Sequence, residues 1–176
     1  MARIVFGMNL SLDGYVDHEA FAPDASLFRH WIDHVGGLSA SLYGRRLYEI
    51  MRYWDDDQPD WGEAEHAFAE AWRRVPKWVV STTLADVGPN AALISNDVEA
   101  EIRKLKTSLA GEIDAGGPGL ARSLAEYGLI DEYRLYFHPV VLGSGRPFFD
   151  GSLPRLRFVT SEKFSGGVIR LSYRPA

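Results

Sequence analysis

Residues Ile113-Asp114-Ala115-Gly116-Gly117-Pro118-Gly119-Leu120-Ala121 decide the fold, because a short apolar strand here passes through three glycines into an amphipathic helix. Glycine lets a ligand approach the backbone amides, and the N-terminus of a helix favours negative charge. The stretch therefore predicts a nucleotide-binding turn. A tight turn without a ligand would need the same glycines, since the motif is not a full G-x-G-x-x-G, so other residues have to decide.

The composition indicates one globular domain over residues 1–176. Of the 176 residues, 46% are hydrophobic and 24% are charged, a composition that suits one well-packed core. The chain is too short for two domains of ordinary size. A net charge of −5 and the lack of a long basic run argue against a nucleic-acid partner. The chain has no cysteine, which excludes disulfides, thiolate catalysis and sulfur-bound metals, and agrees with a cytoplasmic protein.

No segment predicts contact with a membrane or a metal ion. The first apolar run, residues 4–8, is shorter than the apolar part of a signal peptide, and no later run is long enough to cross a bilayer. His30 and His34 share one helical face, but no third ligand and no H-E-x-x-H pattern accompanies them. We therefore expect exposed histidines and no metal.

Apolar spacing predicts strands that alternate with helices along most of the chain. Besides the strand before the glycine turn, the predicted strands cover residues 4–8, 38–42, 77–82, 93–94, 132–142, 156–164 and 168–173. Five helices are predicted. The first runs from an Asp24 cap to Gly36, the next two cover residues 45–53 and 63–74, the fourth begins at a cap formed by Ser95, Asn96 or Asp97, and the fifth follows the glycine turn. The pattern is typical of the α/β class: a three-layer α/β/α fold with a mainly parallel central sheet, closed by a C-terminal antiparallel hairpin.

Ligands of such sheets bind beyond the carboxyl ends of the strands, where two further loops carry phosphate-binding groups. Gly44 is followed by Arg45 and Arg46 in the first turn of a predicted helix, where cations oppose the helix dipole unless an anion is bound. Arginine suits the 2′-phosphate of NADP, although solvated arginines paired with carboxylates would give the same sequence. Hydroxyl groups at residues 81–83 could donate to phosphate or serve an ordinary turn. Because these two loops and the glycine turn are all expected at the same edge of the sheet, together they favour a dinucleotide as the ligand.

Six short motifs follow one another along the chain. They are Asp13-Gly14-Tyr15-Val16, Gly44-Arg45-Arg46, Val79-Val80-Ser81-Thr82, Gly116-Gly117-Pro118-Gly119, Gly128-Leu129-Ile130-Asp131-Glu132-Tyr133 and Pro139-Val140-Val141-Leu142-Gly143-Ser144-Gly145. Their order resembles the dihydrofolate reductase superfamily, and more specifically the branch that contains the reductase domain of the riboflavin-biosynthesis deaminase/reductase. The resemblance covers essentially the whole chain.

The resemblance implies a dihydrofolate-reductase-like fold and a homodimeric, NADPH-dependent reductase. It implies a cofactor pyrophosphate at the glycine turn, adenosine phosphates near the arginine and hydroxyl loops, and a nicotinamide beside Met8 and the Asp13-Gly14 loop. The residues implied to bind NADPH are Met8, Gly14, Gly44, Arg45, Arg46, Ser81, Thr82, Thr83, Gly116, Gly117, Pro118 and Gly119.

Reduction of a small-molecule substrate by hydride transfer also needs a proton source. In dihydrofolate reductases an acid on the first helix, followed four residues later by phenylalanine, protonates the pteridine, and Asp24 and Phe28 have this spacing. Asp24 also suits the N-cap of the same helix, with Phe28 in the core, and this structural interpretation is the one that the residues favour. Asp13 is a second candidate acid, although an Asp-Gly pair most often forms a turn. Residues 143–147 leave a strand without a following helix and are expected to be structural.

The resemblance thus predicts a reductase of the 5-amino-6-(5-phosphoribosylamino)uracil type, which belongs to riboflavin biosynthesis, or a relative with a changed substrate. Two alternatives stay open at this point. One is a dihydrofolate reductase, which would depend on Asp24. The other is a non-catalytic NADP-binding protein that has a cofactor site but no substrate site.

Overall fold

The computed structural model describes residues 1–17, 19–151 and 154–176. Its strands are β1 (Arg3–Leu10), β2 (Tyr15–Val16), β3 (Ala40–Gly44), β4 (Lys77–Val80), β5 (Ala91–Ile94), β6 (Glu112–Gly116), β7 (Glu132–Phe137), β8 (Arg146–Pro147), β9 (Leu156–Lys163) and β10 (Ile169–Pro175). Its helices are α1 (Ala25–Gly36), α2 (Arg45–Met51), α3 (Glu63–Arg74), α4 (Val98–Ser108) and α5 (Pro118–Glu126), with short 3-10 turns at Arg52–Trp54 and Ser165–Gly167.

The described strands form an eight-stranded central sheet in the order β5-β4-β3-β6-β1-β7-β10-β9, and a separate two-stranded sheet of β2 and β8. The first six strands in that order are parallel, whereas β10 is antiparallel to both of its neighbours. Because β6 lies between β1 and β3, Ala115 pairs with Phe6 on one side and with Leu42 on the other. The predicted mainly parallel sheet with a closing C-terminal hairpin is confirmed.

Helices cover both faces of the sheet, which explains why most residues of its central strands are buried or half-buried. Tyr133 and Tyr136 are three positions apart on β7 and therefore point to opposite faces. Tyr133 belongs to the largest core cluster, together with Ile102 of α4 and Leu124 of α5. Tyr136 packs instead against Leu27 of α1. None of the helices in the described parts of the chain is both long and apolar enough to span a bilayer.

Two elements end earlier than the sequence predicts. β7 ends at Phe137 rather than at residue 142. The N–H of His138 still donates to the carbonyl of Leu10 at 2.8 Å, but Pro139 has no N–H and ends the hydrogen-bonded ladder. α2 ends at Met51, and the chain tightens there into a 3-10 turn instead of continuing as α-helix to residue 53.

α1 begins at its predicted cap, but the two histidines on it are not exposed as predicted. The carboxylate of Asp24 accepts a hydrogen bond from the N–H of Leu27 at 2.9 Å. Nε2 of His30 lies 2.9 Å from the hydroxyl oxygen of Tyr136, and the side chain of His34 is only 12% exposed. Burial lowers the pKa of His30 to about 4, so this ring is neutral at pH 7. Within the described residues, no group of three or more His, Asp or Glu could hold a metal ion.

Charged side chains near the amino-terminal ends of the parallel strands form a closed network. The guanidinium of Arg134 donates from Nη1 and Nη2 to Glu112 at 2.6 and 2.8 Å, and from Nε to Glu132 at 2.8 Å. Burial disfavours the charged form, but the two carboxylates outweigh it and raise the pKa of Arg134. Burial likewise raises the pKa of Glu132, but Arg134 and Arg174 outweigh it and lower that pKa overall. The network therefore neutralises charge inside the sheet layer.

Arg134→Met should lower the free energy of unfolding by about 3 kcal/mol, because Glu112 and Glu132 lose the cation that they share. Urea denaturation measures the change. Adding Glu112→Gln to Arg134→Met should restore part of the loss, since one uncompensated charge is then gone. The control is Arg103→Met, which removes an exposed pair with Glu99 and should cost less than about 1 kcal/mol. Equal stability of the Arg134 and Arg103 variants would contradict the role of the network.

Candidate functional site

A cleft of about 580 Å³ opens at the carboxyl ends of β1, β3 and β6. Its walls come from these strand ends, the first turns of α2 and α5, and the two-stranded sheet of β2 and β8. The predicted cofactor residues that line it are Met8, Gly44, Arg45, Arg46, Gly117, Pro118 and Gly119. The tertiary structure thus brings the arginine loop and the glycine turn to one cleft.

The glycine turn leads straight into α5. Gly117 has a φ of +100°, a backbone conformation that residues with side chains rarely adopt, and its carbonyl accepts the N–H of Ala121 at 3.0 Å. Pro118 occupies the first helical position, where a missing N–H costs no helical hydrogen bond. The next N–H groups of the helix have no partner within the helix and border the cleft. An anion at this point would complete their hydrogen bonding.

Gly116 has a packing role instead of the predicted role in ligand approach. It does not line the cleft. A Cβ atom on Gly116 would lie 2.6 Å from Cδ2 of Leu47 and 2.9 Å from Cδ1 of Tyr43, both of which belong to the neighbouring strand and helix. The residue is therefore glycine because β6 ends in close contact with β3 and α2.

The two arginines of α2 differ in their surroundings. Nε of Arg45 donates to Glu49 at 2.9 Å and its Nη1 donates to the hydroxyl of Thr83 at 2.8 Å. This hydrogen bond joins the hydroxyl loop to the arginine loop, although Thr83 itself does not line the cleft. Arg46 is exposed and has no hydrogen-bond or ion-pair partner within the described parts of the chain. Both guanidinium groups border the cleft.

The other two predicted hydroxyl residues lie outside the cleft. The hydroxyl oxygen of Ser81 accepts the N–H groups of Thr83 and Leu84 at 3.2 and 3.1 Å, and the residue is buried. Ser81 therefore forms the ordinary turn that the sequence left open as an alternative. Thr82 is exposed on the same turn and does not line the cleft either.

The two predicted acids and Gly14 also lie outside the cleft. Asp13 accepts hydrogen bonds from Ser11 at 2.5 Å and from the N–H of Gly143 at 2.7 Å, so it ties the turn after β1 to a distant loop. The hydrogen bond from Ser11 is the main reason why the pKa of Asp13 is lowered. Gly14, with a φ of +89°, belongs to the same turn, and its carbonyl accepts the N–H of Phe148.

Asp24 has an equally structural environment. Its carboxylate accepts the N–H of Leu27 and the hydroxyl of Ser165, which lies on the turn between β9 and β10. The hydrogen bond from Leu27 is the larger of the causes that lower the pKa of Asp24. A proton donor needs a carboxyl group that is protonated near neutral pH, and a lowered pKa works against this.

Sequence reasoning missed one wall of the cleft. β2 and β8 pair Val16 with Arg146, and this short sheet brings Val16, Asp17, Glu19, Gly145 and Arg146 to the cleft. Two of the residues 143–147, which the sequence predicts to be structural, therefore line the cleft: Gly145 and Arg146. The sequence contains a pattern that could have indicated this wall, because Gly145-Arg146 repeats the Gly44-Arg45 pair of the arginine loop.

The cleft fits an elongated anionic ligand. Its volume lies within the range of roughly 300–1,000 Å³ that is usual for small-molecule and cofactor sites. Arg45, Arg46 and Arg146 border it, and so do Gly117 and Gly119 at the start of α5. Asp17 and Glu19 line another part of the wall.

Comparisons with known proteins agree with this architecture. Residues 2–170 match the model of the RibD C-terminal domain. The uncharacterized protein YyaP of Bacillus subtilis (strain 168) is 30% identical over 180 residues, which cover 97% of this chain and 94% of that protein.

Solved structures share the fold at low sequence identity. A crystal structure from Shewanella sp. PV-4 is 22% identical with a TM-score of 0.73, and covers 100% of this chain and 99% of its own. A diaminohydroxyphosphoribosylaminopyrimidine deaminase/5-amino-6-(5-phosphoribosylamino)uracil reductase from Thermotoga maritima is 18% identical with a TM-score of 0.65, over 99% of this chain and 57% of that one. Because the family model spans nearly the whole chain and a full-length relative is 30% identical to it, the protein belongs to the RibD C-terminal domain family.

Proposed function

We propose that the protein is an NADPH-dependent reductase of a small heterocyclic or sugar-linked substrate. The observation that carries the proposal is the single cleft that combines Met8, the arginine loop and the glycine turn at the carboxyl edge of the sheet. The Thermotoga maritima relative is a 5-amino-6-(5-phosphoribosylamino)uracil reductase by name. The compound 5-amino-6-(5-phosphoribosylamino)uracil, or another compound of its class, is therefore the first substrate to test.

The residues of the cleft suit the separate parts of NADPH, which when bound would supply the hydride. The free amides at the start of α5, beyond Gly117, would hold the pyrophosphate. Arg45 and Arg46 would bind the 2′-phosphate, which is the group that distinguishes NADPH from NADH. Met8 lies where β1 reaches the cleft and would contact the nicotinamide ring.

The carboxyl group best suited to give the substrate a proton is that of Asp17. Asp17 and Glu19 are the carboxylates that line the cleft among the described residues. Oδ1 of Asp17 accepts the N–H of Glu19 at 2.9 Å, and Asp17 borders the cleft in which a substrate would lie. Asp13 and Asp24 use their oxygens in hydrogen bonds that hold turns and a helix end together.

The two alternatives, a dihydrofolate reductase and a non-catalytic NADP-binding protein, make different demands on the residues in and around the cleft. A dihydrofolate reductase would use Asp24, whose carboxylate is engaged with Leu27 and Ser165 outside the cleft. A non-catalytic protein would bind NADPH in the cleft and transfer no hydride to any substrate. Neither alternative has a specific feature of the structure in its favour.

We also propose that a second copy of the chain covers β9. This strand lies at the edge of the sheet and is hydrogen-bonded to β10 alone. Its adjacent residues Phe158 and Val159 are 58% and 38% exposed, at the point where the register of β9 against β10 shifts. A long edge strand with exposed apolar side chains favours pairing with another strand. Antiparallel pairing of β9 with its counterpart would give a homodimer with a continuous sheet.

Arg45→Ala should weaken NADPH binding about tenfold or more, because a charge-assisted contact contributes about 1.5–3 kcal/mol, and should leave NADH binding nearly unchanged. Isothermal titration calorimetry with both cofactors measures the two affinities. Arg103→Ala is the matched control, since Arg103 also pairs with a glutamate four positions away but lies on α4 outside the cleft. Equal losses for NADPH and NADH would contradict the 2′-phosphate assignment.

Asp17→Asn should lower kcat about 100-fold, the usual contribution of a general acid, while NADPH affinity stays within about twofold. Asp24→Asn should keep both kcat and stability, because asparagine is an equally good N-cap. Steady-state assays with 5-amino-6-(5-phosphoribosylamino)uracil and with dihydrofolate distinguish the candidates. Turnover of dihydrofolate that disappears in Asp24→Asn would favour the dihydrofolate reductase alternative over this proposal.

Phe158→Glu should convert a dimer into a monomer, because it adds a charge to the proposed pairing surface, and should leave NADPH binding unchanged. Sedimentation equilibrium measures the mass of each species. Tyr53→Glu is the control, since Tyr53 is 50% exposed in the 3-10 turn after α2, and β3, which precedes α2, is five positions from β9 in the sheet order. A monomeric parent protein, or a dimer that tolerates Phe158→Glu, rules out this interface.

A further inference from the structure

Arg146 reaches across the cleft from β8 to the first turn of α5. A Cβ atom built on Gly119 would lie 2.9 Å from Nη2 of Arg146, closer than side chains normally approach. Gly119 therefore leaves space for the guanidinium group as well as for a ligand. A cation at the N-terminus of a helix opposes the helix dipole, unless an anion lies between the two.

The base of the Arg146 side chain is held in place from both sides. Its backbone pairs with Val16 in the two-stranded sheet. Two residues later, Phe148 is 2% exposed, and its ring packs against Phe6 with centroids 4.4 Å apart. The position at which Arg146 enters the cleft is thus fixed by buried structure, which favours a defined binding role over a freely moving surface charge.

The partner of Arg146 is weak enough to be exchanged. Nη2 donates to Oδ2 of Asp150 at 3.1 Å, and the two side chains are 40% and 36% exposed. An ion pair of this exposure contributes little, about 0–1 kcal/mol. Two phosphate oxygens would offer the planar guanidinium a better match than one carboxylate oxygen does. Asp150 can therefore hold the side chain until a phosphate replaces it.

We propose that Arg146 binds the pyrophosphate of the dinucleotide, with its guanidinium group beside Gly119 in the first turn of α5. This inference rests on the proposed function and extends it to a third arginine with a different task. Arg45 and Arg46 lie at the start of α2 and discriminate between NADPH and NADH. Arg146 lies over Gly119 and stabilises both cofactors alike, because both contain the pyrophosphate.

The decisive experiment compares ligands that contain different phosphates. Arg146→Gln should weaken NADPH, NADH and ADP about tenfold each, the loss expected for one charge-assisted contact. The same variant should bind adenosine 2′-monophosphate as the parent protein does. Arg122→Gln is the matched control, because Arg122 lies on α5 outside the cleft and carries the same charge. Calorimetry gives the affinities, and thermal unfolding verifies that each variant is folded.

Two more variants test the geometry itself. Asp150→Asn should keep or raise the affinity for all three pyrophosphate ligands, because it removes the carboxylate that competes for Arg146. Gly119→Ala should weaken the same ligands in the parent protein, and should weaken them less in the Arg146→Gln background, where no guanidinium is displaced.

The outcomes separate this inference from the proposed function. A parent protein that binds neither NADPH nor NADH contradicts the proposed function. A parent protein that binds NADPH, with Arg146→Gln no weaker than Arg122→Gln, overturns the role of Arg146 and leaves the proposed function standing. A loss confined to NADPH and adenosine 2′-monophosphate would assign Arg146 to the 2′-phosphate and overturn the pyrophosphate assignment. A uniform loss for NADPH, NADH and ADP supports it.

Discussion

The close approach at Gly116 is the constraint on which the cleft depends. A Cβ atom at this position would lie only 2.6 Å from Cδ2 of Leu47 and 2.9 Å from Cδ1 of Tyr43, so these side chains would have to shift to admit any other residue. Because β3 and β6 are adjacent parallel strands, α2 and α5, which follow them, begin side by side at the same edge of the sheet. The arginine loop and the glycine turn, which are far apart in the chain, share a cleft for this reason.

Arginine side chains are paired differently at the two ends of the parallel strands. At the amino-terminal end, Arg134 is held by two carboxylates at 2.6 to 2.8 Å, so its charge is used to stabilise the fold. At the carboxyl end, Arg46 has no partner within the described residues, and Arg146 has a single exposed one. Desolvated and fully paired charges serve structure, whereas solvated and incompletely paired charges remain available to an anionic ligand.

The carboxylates show how a family motif can serve structure in a given chain. Asp13 belongs to one of the motifs that carry the family resemblance, and Asp24 has the spacing to Phe28 that dihydrofolate reductases share. The oxygens of both accept hydrogen bonds from N–H and hydroxyl groups. These short-range hydrogen bonds lower their pKa values and hold a turn and a helix end. Asp17, which no motif emphasises, lines the cleft because β2 pairs with β8.

The sequence by itself determined the succession of strands and helices, the Asp24 cap, the closing hairpin and the sheet edge at which the glycine turn lies. Those features depend on apolar periodicity, caps and glycines, which act over a few neighbouring residues. Only the tertiary structure decided which groups share the cleft: Ser81 is buried in its own turn, Gly116 is a packing contact, and Arg146 reaches Gly119. These outcomes depend on contacts between residues that are distant in the chain, and no local pattern contains that information.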